Sequence, residues 1–418
     1  MTMMNAGAGI WQANVQQAGA SVSPWGMILH TLRTEEITEA EIDGPGNVWV
    51  VRSGERRPLN GVQWKSLNDF FNDFKISVKK YMYAPGFDDP ENCNTIYEGG
   101  LTVDGAGGYH ARLHMMLPPT TQWPQVTIAK RSESLTSLES MVRRGSLTED
   151  MAHFIRIIVR NRQTIVFSGG GGSGKTTMLR ACCNYINPDE RVIICEDSPE
   201  LSIPIRNVSY MESIPWRPGL DKKDEVKLSY LVAQANRMRC DRIIVGETRS
   251  EEFHGFLQSA NSGYSGSMTT LHANSPTDCV QRMGGLDLDA VPGREISAVN
   301  RNIAEAVDFI IQLKKIGDKH VVQEIYQLSN TVNDRDGSIA GASIYKYDEL
   351  SGKFIDMLSS LDDRSREKFG ITGNTLPYDD DKPSEPERDL NAAPPAAAPA
   401  RRVPRMGGLR IRDSRTFG

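Results

Sequence analysis

From Glu35 onward the chain spaces its apolar residues at intervals that secondary structure can use. The segment ITEAEIDGPGNVWVVRSGERRPL reads as a short amphipathic stretch, a Gly-Pro-Gly turn and a strand over Val48–Val51. Residues 60–82 set Trp64, Leu67, Phe70, Phe71 and Phe74 three and four apart, the period of a helix with one buried face. Tyr109–Leu117 alternates apolar and polar positions as a half-buried strand does, and Val126–Ala129 is a second short strand. Together these predict a small α+β domain over residues 35–131.

A connector over 132–147 follows. Thr148 then opens TEDMAHFIRIIVRNRQ, a helix with a threonine cap and acids in its first turn. Beyond it, β-rich apolar runs alternate with helical stretches: TIVFSG, a helix from Lys175, RVIICED, RIIVGE and SMTTLHA. Strands separated by helices imply a parallel sheet covered on both faces, an α/β domain over 148–347. Residues 1–34 carry no period and read as a mobile tail, with Trp11 and Trp25 as candidate anchors. Residues 348–418 read as a largely disordered tail that turns acidic (DDDKPSEPERD), Ala-Pro-rich (NAAPPAAAPA) and then basic (RRVPRMGGLRIRDSRTFG). Its last segment is a flexible sticker suited to an anionic membrane or an acidic partner.

Composition narrows the classes. A chain of 418 residues has room for two or three domains. A net charge of −5 gives no general drive toward nucleic acid or acidic lipid. No apolar run approaches the ~18 residues that span a bilayer, and the N-terminus lacks the basic start and compact apolar run of a signal peptide. The expectation is a cytoplasmic protein held at the inner membrane by partners. The six cysteines show no CxxC pair, which argues against a zinc site and a disulfide scaffold.

The strongest chemical signal is GGGGSGKT over 169–176, a full G-x-x-x-x-G-K-[ST] with a strand before it and a helix after it. Gly169, Gly170, Gly171, Gly172, Ser173 and Gly174 let backbone N–H groups turn toward phosphate oxygens. The helix end adds its positive dipole. Lys175 would reach the β- and γ-phosphates, and the Thr176 hydroxyl would ligate Mg²⁺. Two later strands end in acids. RIIVGE brings Glu247, and RVIICEDSPEL brings Glu196, Asp197 and Glu200. Carboxylates at the C-terminal edge of an open α/β sheet are placed to hold the metal's water or to activate the attacking one. His272, closing SMTTLH among hydroxyl side chains, suits a sensor of the γ-phosphate.

Taken together, these residues resemble the secretion-superfamily traffic ATPases of type IV secretion and conjugation, and the related Tad-type pilus ATPases, over roughly residues 35–330. GGGGSGKTT is similar to that family's Walker A, ICEDSPEL to its Asp box, RMRCDRIIVGETRSEE to its Walker B region and SGYSGSMTTLHANSP to its His box. YHARLHMMLPP and VTIAKR resemble the arginine-bearing strands that the family folds over the nucleotide. The resemblance implies a RecA-like P-loop core behind a smaller α+β N-terminal domain, a hexameric ring of identical subunits, and ATP with Mg²⁺ between the two domains. It implies nucleotide contacts from Gly169 through Thr177, including Thr176 and Thr177, and lid contacts from Arg112 and Arg131. Glu196, Glu247, His272 and, across a subunit boundary, Arg237 would serve catalysis. Thr176, Glu196 and Glu247 would serve the metal. The implied partners are inner-membrane components of a secretion or pilus machine.

The chain also departs from the pattern. Tyr264 stands where many relatives have a first histidine, and Asn236 and Cys240 replace an apolar residue and a proline on the approach to Walker B. The zinc module of type II secretion loaders and the signature of twitching retraction motors are missing, which favours the type IV secretion or Tad branch. A nucleic-acid motor would need a basic, aromatic single-strand groove, and no such run occurs before the final tail. A nucleotide-gated scaffold without turnover would have little use for both Glu196 and Glu247.

Overall fold

The computed structural model describes residues 23–34, 37–52, 55–83, 96–103, 109–130, 137–198, 200–214, 222–373 and 375–377. Trp11, Cys93, Arg131 and the basic C-terminal segment lie outside these residues.

The first layer starts with helix α1 (Pro24–Leu32), inside the stretch the sequence suggested as a tail. Ser23 caps it by accepting from the Gly26 N–H at 3.1 Å, and proline occupies its first turn. Strands β1 (Ile37–Ile42), β2 (Val48–Arg52) and β3 (Glu55–Pro58) follow, then α2 (Leu67–Ser77), β4 (Met82–Tyr83), β5 (Ile96–Val103), β6 (Tyr109–Met116) and β7 (Gln125–Lys130). The seven strands form one antiparallel sheet in the order β3-β2-β1-β7-β6-β5-β4. The stretch before the Gly-Pro-Gly turn is therefore a strand, and the helix is shorter than 60–82, with Trp64 ahead of it and Leu67 partly exposed.

Trp25 is the reason α1 belongs to the fold. Its ring centroid lies 5.6 Å from Trp64, 5.4 Å from Phe70 and 5.3 Å from Phe74, all fully buried. Asp73, itself buried, accepts from the Trp25 backbone N–H at 2.9 Å and the Trp64 indole at 3.1 Å. The Lys130 ammonium donates to the Leu32 and Thr34 carbonyls, so the central strand β7 also holds the C-terminal end of α1.

The second layer begins with α3 (Leu138–Arg143), inside the stretch suggested as connector, and α4 (Glu149–Arg160), capped by Thr148. Then come β8 (Ile165–Gly169), α5 (Lys175–Cys183), β9 (Val192–Glu196), β10 (Val208–Glu212), α6 (Leu228–Ala235), β11 (Arg242–Val245), α7 (Glu251–Asn261), β12 (Met268–Leu271), α8 (Pro276–Ala290) and α9 (Ile296–Ala306). Strands β13 (Phe309–Ile316), β14 (Lys319–Val332), β15 (Ile339–Asp348), β16 (Lys353–Asp356) and helix α10 (Asp363–Phe369) complete it. The sheet order is β10-β9-β11-β12-β8-β13-β14-β15-β16. Six strands from β10 to β13 are parallel, as the alternation of strands and helices implies, and β14, β15 and β16 extend the sheet antiparallel.

Register ties the layers together. Ile194, Ile244, Met268, Ile165 and Phe309 are paired in one row across five strands and face one core with α4 and α5. One residue on, Cys195, Val245, Val166 and Ile310 face the opposite core with α6, α7, α8 and α9. Burial pushes the Cys183, Cys195 and Cys279 thiols up to about 12, as expected of packed, inert cysteines. Among the described residues no helix is long and apolar enough to cross a membrane.

The core does not end at Tyr347. Leu358, Leu361, Phe369 and Ile371 are buried in the α4 core, and Phe154 meets Phe309 and Tyr345 at 5.7 Å and Phe369 at 6.4 Å. The described chain therefore stays within the fold to Pro377, and the disordered-tail reading of 348–377 is corrected. Phe369→Ala should cost about 3–5 kcal/mol of stability, the scale of a truncated core aromatic. Denaturant unfolding checks this, because a residue in a solvated tail would leave the midpoint unchanged.

Candidate functional site: a phosphate cradle beside an acidic cavity

Strand β8 is buried along its whole length and delivers Gly169 to the carboxyl edge of the sheet. A Cβ on Gly169 would stand 2.5 Å from the Leu313 carbonyl of β13, so packing alone demands glycine there. Gly174 has φ +94° and is the N-cap of α5, a left-handed conformation that turns the loop into the helix. Gly170 and Gly171 face open space. The loop thus presents bare backbone beside a helix N-terminus, the arrangement that binds phosphate.

Lys175 folds back over this loop and is buried. Its ammonium donates to the Gly169 carbonyl at 3.1 Å and the Gly170 carbonyl at 2.9 Å. Burial lowers its pKa and the nearby Glu247 carboxylate opposes that shift. The ammonium also lies 3.3 Å from His272 Nδ1. An ammonium only donates, so Nδ1 accepts and the ring proton sits on Nε2. Nε2 in turn lies 2.8 Å from Glu247 Oε1, and Glu247 Oε2 accepts from Arg249 at 2.6 Å. Lys175 is thus hydrogen-bonded to His272 and Glu247 to Arg249, while His272 and Glu247 meet at close distance without hydrogen-bond geometry.

Glu247 is half-buried, and that burial alone would raise its pKa. The Arg249 hydrogen bond and the charges of Arg249 and Lys175 outweigh it and hold the carboxyl below its usual value. Glu196 is held differently. It closes β9, is buried, and its Oε1 accepts from the Glu200 N–H at 3.0 Å and the Leu201 N–H at 3.1 Å. Gly246 lies beside it, and a Cβ there would come within 2.9 Å of Glu196 Cγ. The glycine of RIIVGE is thus the room that Glu196 occupies.

Thr176, Glu196, Asp197, Glu200, Glu247 and Arg249 line a cavity of about 190 Å³ at this edge. Arg112, projecting from β6 of the other sheet, lines it as well. The structure therefore brings together Thr176, Glu196, Glu247 and Arg112, with Lys175 and His272 adjoining through Glu247. It does not bring in Arg237, which is exposed after α6 and donates to Gln234 Oε1 at 3.4 Å. Ser173 and Thr177 face a second cavity on the other flank of the loop. Arg249 was missed by sequence reasoning, although an arginine two residues after a candidate catalytic acid is itself a signal. The departures at Tyr264 and Asn236 meet each other, since the Tyr264 hydroxyl donates to the Asn236 carbonyl at 2.5 Å.

The donors suit Mg²⁺. Among the described residues no group of three or more His, Cys, Asp or Glu forms a closed metal cage. A threonine hydroxyl and two carboxylates on one cavity are hard oxygen donors. Mg²⁺ keeps several waters and takes one or two carboxylates plus substrate phosphates, so an open set of this kind fits it.

A Mycobacterium tuberculosis protein provisionally named for conjugal transfer is 29% identical over 308 residues, 72% of this chain and 84% of its own. The conjugal transfer protein TrbB of Rhizobium radiobacter is 32% identical over 242 residues, 57% of this chain and 69% of TrbB. Among solved structures, the Legionella pneumophila ATPase DotB matches with a TM-score of 0.54 at 18% identity, covering 73% of this chain and 81% of DotB. The pilus retraction motor PilT with bound ADP gives 0.53 at 17%, covering 77% of this chain and 82% of PilT. Both are likenesses of fold, that of a RecA-like α/β ATPase core. The family model for type II/IV secretion system proteins matches residues 102–343. That segment is more than half of the chain and contains the whole cradle and every residue lining the acidic cavity, so the protein belongs to the type II/IV secretion system protein family.

Proposed function

We propose that the protein is the ATP-hydrolysing motor of a type IV secretion or conjugative transfer machine. The observation that carries the chemistry is the junction of a complete phosphate cradle with a cavity holding Thr176, Glu196 and Glu247, bridged by Lys175 and His272. The names of TrbB and of the Mycobacterium tuberculosis relative support conjugative transfer over a pilus machine.

In this reading the loop amides and Lys175 bind the β- and γ-phosphates, and Arg112 adds positive charge from the N-terminal sheet. Thr176, Glu196 and Glu247 would hold Mg²⁺, which when bound neutralises charge on the phosphate oxygens. Glu247 orients a water and takes its proton as the water oxygen bonds to the γ-phosphorus. The bond to the β–γ bridging oxygen breaks, and ADP leaves with that electron pair. Glu196, fixed by two backbone amides, is the less mobile carboxylate and is suited to holding rather than proton transfer. Arg237 lines neither cavity of its own subunit, which is consistent with a role at a neighbour's site in a six-membered ring. The working location is the cytoplasmic face of the inner membrane, where machine components would hold the ring.

Three variants test this reading. Lys175→Ala should abolish phosphate release while leaving the circular dichroism spectrum unchanged, and turnover within a few-fold of the parent would remove Lys175 from the phosphate site. Glu247→Gln should bind ATP normally and hydrolyse it at least ~10²-fold more slowly, the scale of a general base. A carboxylate with a depressed pKa keeps its charge as pH falls until that lowered value is reached. The acid limb of turnover set by Glu247 should therefore fall below pH 4.5. An acid limb near neutrality that vanishes in Glu247→Gln would contradict the assignment. Arg112→Ala should weaken ATP affinity without lowering the unfolding midpoint, and an unaltered affinity in equilibrium binding would make Arg112 a surface residue.

A further inference from the structure

Strand β13 pairs with the cradle strand β8, and its residues Phe309–Leu313 are all buried. Four of them are apolar. The other is Gln312, 1% exposed, which shares a face of the sheet with Ile310, on the side of α8. Its Nε2 donates to the Ala273 carbonyl at 3.2 Å, while its Oε1 is buried without a protein partner. That contact fixes the orientation of the amide, because only its N–H end can face a carbonyl. To reach Ala273 the side chain crosses β8, which separates β13 from β12. The β8 residue in register with Gln312 is Ser168, small and fully buried, which leaves the path open.

Stability does not call for a glutamine here. An apolar side chain of the same size would bury as well and leave no amide oxygen unsatisfied. What the amide gains is a hold on the chain beside the site. Strand β12 ends at Leu271, and α8 begins at Pro276 behind its Ser275 cap. His272, Ala273 and Asn274 lie between. Among the described residues, the Gln312 bond is the only hydrogen bond to their main chain. Ala273 adds partial packing on the α8 core. The exposed His272 ring stands 3.3 Å from the Lys175 ammonium and 2.8 Å from Glu247 Oε1, so its placement depends on a short segment with one polar anchor.

We propose that Gln312 is a positioning residue for ATP hydrolysis: through the Ala273 carbonyl it fixes His272 between Lys175 and Glu247. This rests on the ATPase reading above. Gln312 lines neither cavity beside the cradle, so it acts on the reaction through His272 and not by touching the nucleotide. Lys175 keeps its own bonds to the Gly169 and Gly170 carbonyls, which do not involve Gln312. Loss of the amide should therefore slow turnover and spare ATP binding.

The test is Gln312→Met in the full chain. Methionine keeps the length and the unbranched shape and removes the donor and the unsatisfied oxygen. Melting curves, calorimetric ATP titration and steady-state phosphate release are measured together. The melting temperature should equal or exceed that of the parent, and ATP affinity should be unchanged. The kcat should fall about tenfold, part of the roughly 10²-fold that a 1 Å misplacement can cost. His272→Ala should lower kcat as well, and adding Gln312→Met to it should lower kcat no further, since non-additivity marks residues that act through one another. An unchanged kcat in Gln312→Met overturns the proposal. Losses that multiply in the double variant overturn it too, because Gln312 would then act by another route. A melting temperature lowered in both Gln312→Met and Gln312→Leu also overturns it, making the amide a support of the fold. A parent chain that neither binds nor hydrolyses ATP refutes the ATPase reading itself.

Discussion

Residues from four strands meet at one edge because β8, β9, β11 and β12 run parallel in a fixed register. The row Ile194, Ile244, Met268, Ile165 sets that alignment inside the core, where sliding a strand by one residue would exchange its buried faces between two different cores. Two residues beyond the row stand Glu196 and Gly246, and four beyond it stand His272 and Gly169. Packing of aliphatic side chains therefore fixes the spacing of the polar ones. The far end of the sheet is held with equal firmness. Arg242 is fully buried and bonded to Glu190 at 2.6 and 3.1 Å, to the Val159 carbonyl at 2.8 Å and to the Gly266 carbonyl at 3.2 Å. A buried guanidinium with each of these partners in place restrains β11 against both its neighbours and α4.

Within that frame the charges restrain one another. Burial disfavours the charged forms of Lys175 and Glu247 alike, and each is the other's compensation, with His272 between them. Arg249 tips the balance by donating directly to Glu247. A phosphate arriving at the loop would compete for Lys175 and, through His272, would change what Glu247 experiences. In the reading proposed above, the cradle and Glu247 would sense each other directly through the Lys175 charge and across the intervening His272 ring.

How much of this was legible in the sequence depended on range. The cradle, Glu196, Glu247 and His272 each sit at a strand end marked by its own apolar run, so local pattern located them. Arg112 was reached only through resemblance, because nothing within β6 indicates that a strand of another sheet ends against Thr176 and Glu196. Trp25 and Phe369 were placed in tails because their segments are short and flanked by low-complexity sequence. Their burial comes from partners far along the chain, Trp64 and Phe74 for one and Phe154 and Phe309 for the other. The antiparallel extension β14–β16 escaped for a related reason. Its strands carry polar faces and follow no helix, so the alternation that revealed the parallel strands is lacking there.

That extension also bears on how a motor of this design transmits work. The cradle is gripped on one flank by the β13–β14 hairpin, through Leu313 behind Gly169 and His320 at Gly172. On the other flank it faces Arg112 from the N-terminal sheet. The contacts of the first flank are local to the second layer and include backbone. Among the described residues that line this cavity, Arg112 is the one that the first layer contributes. A guanidinium holds its charge at any working pH and is weakly hydrated, so it responds to the negative charge in front of it rather than to solvent conditions. In the reading proposed above, charge beside the acidic cavity would change by whole units when a triphosphate binds and when phosphate leaves. In that same reading, the flank that faces the reaction is held by charge, and the opposite flank by strand pairing and a hydrogen bond to the loop.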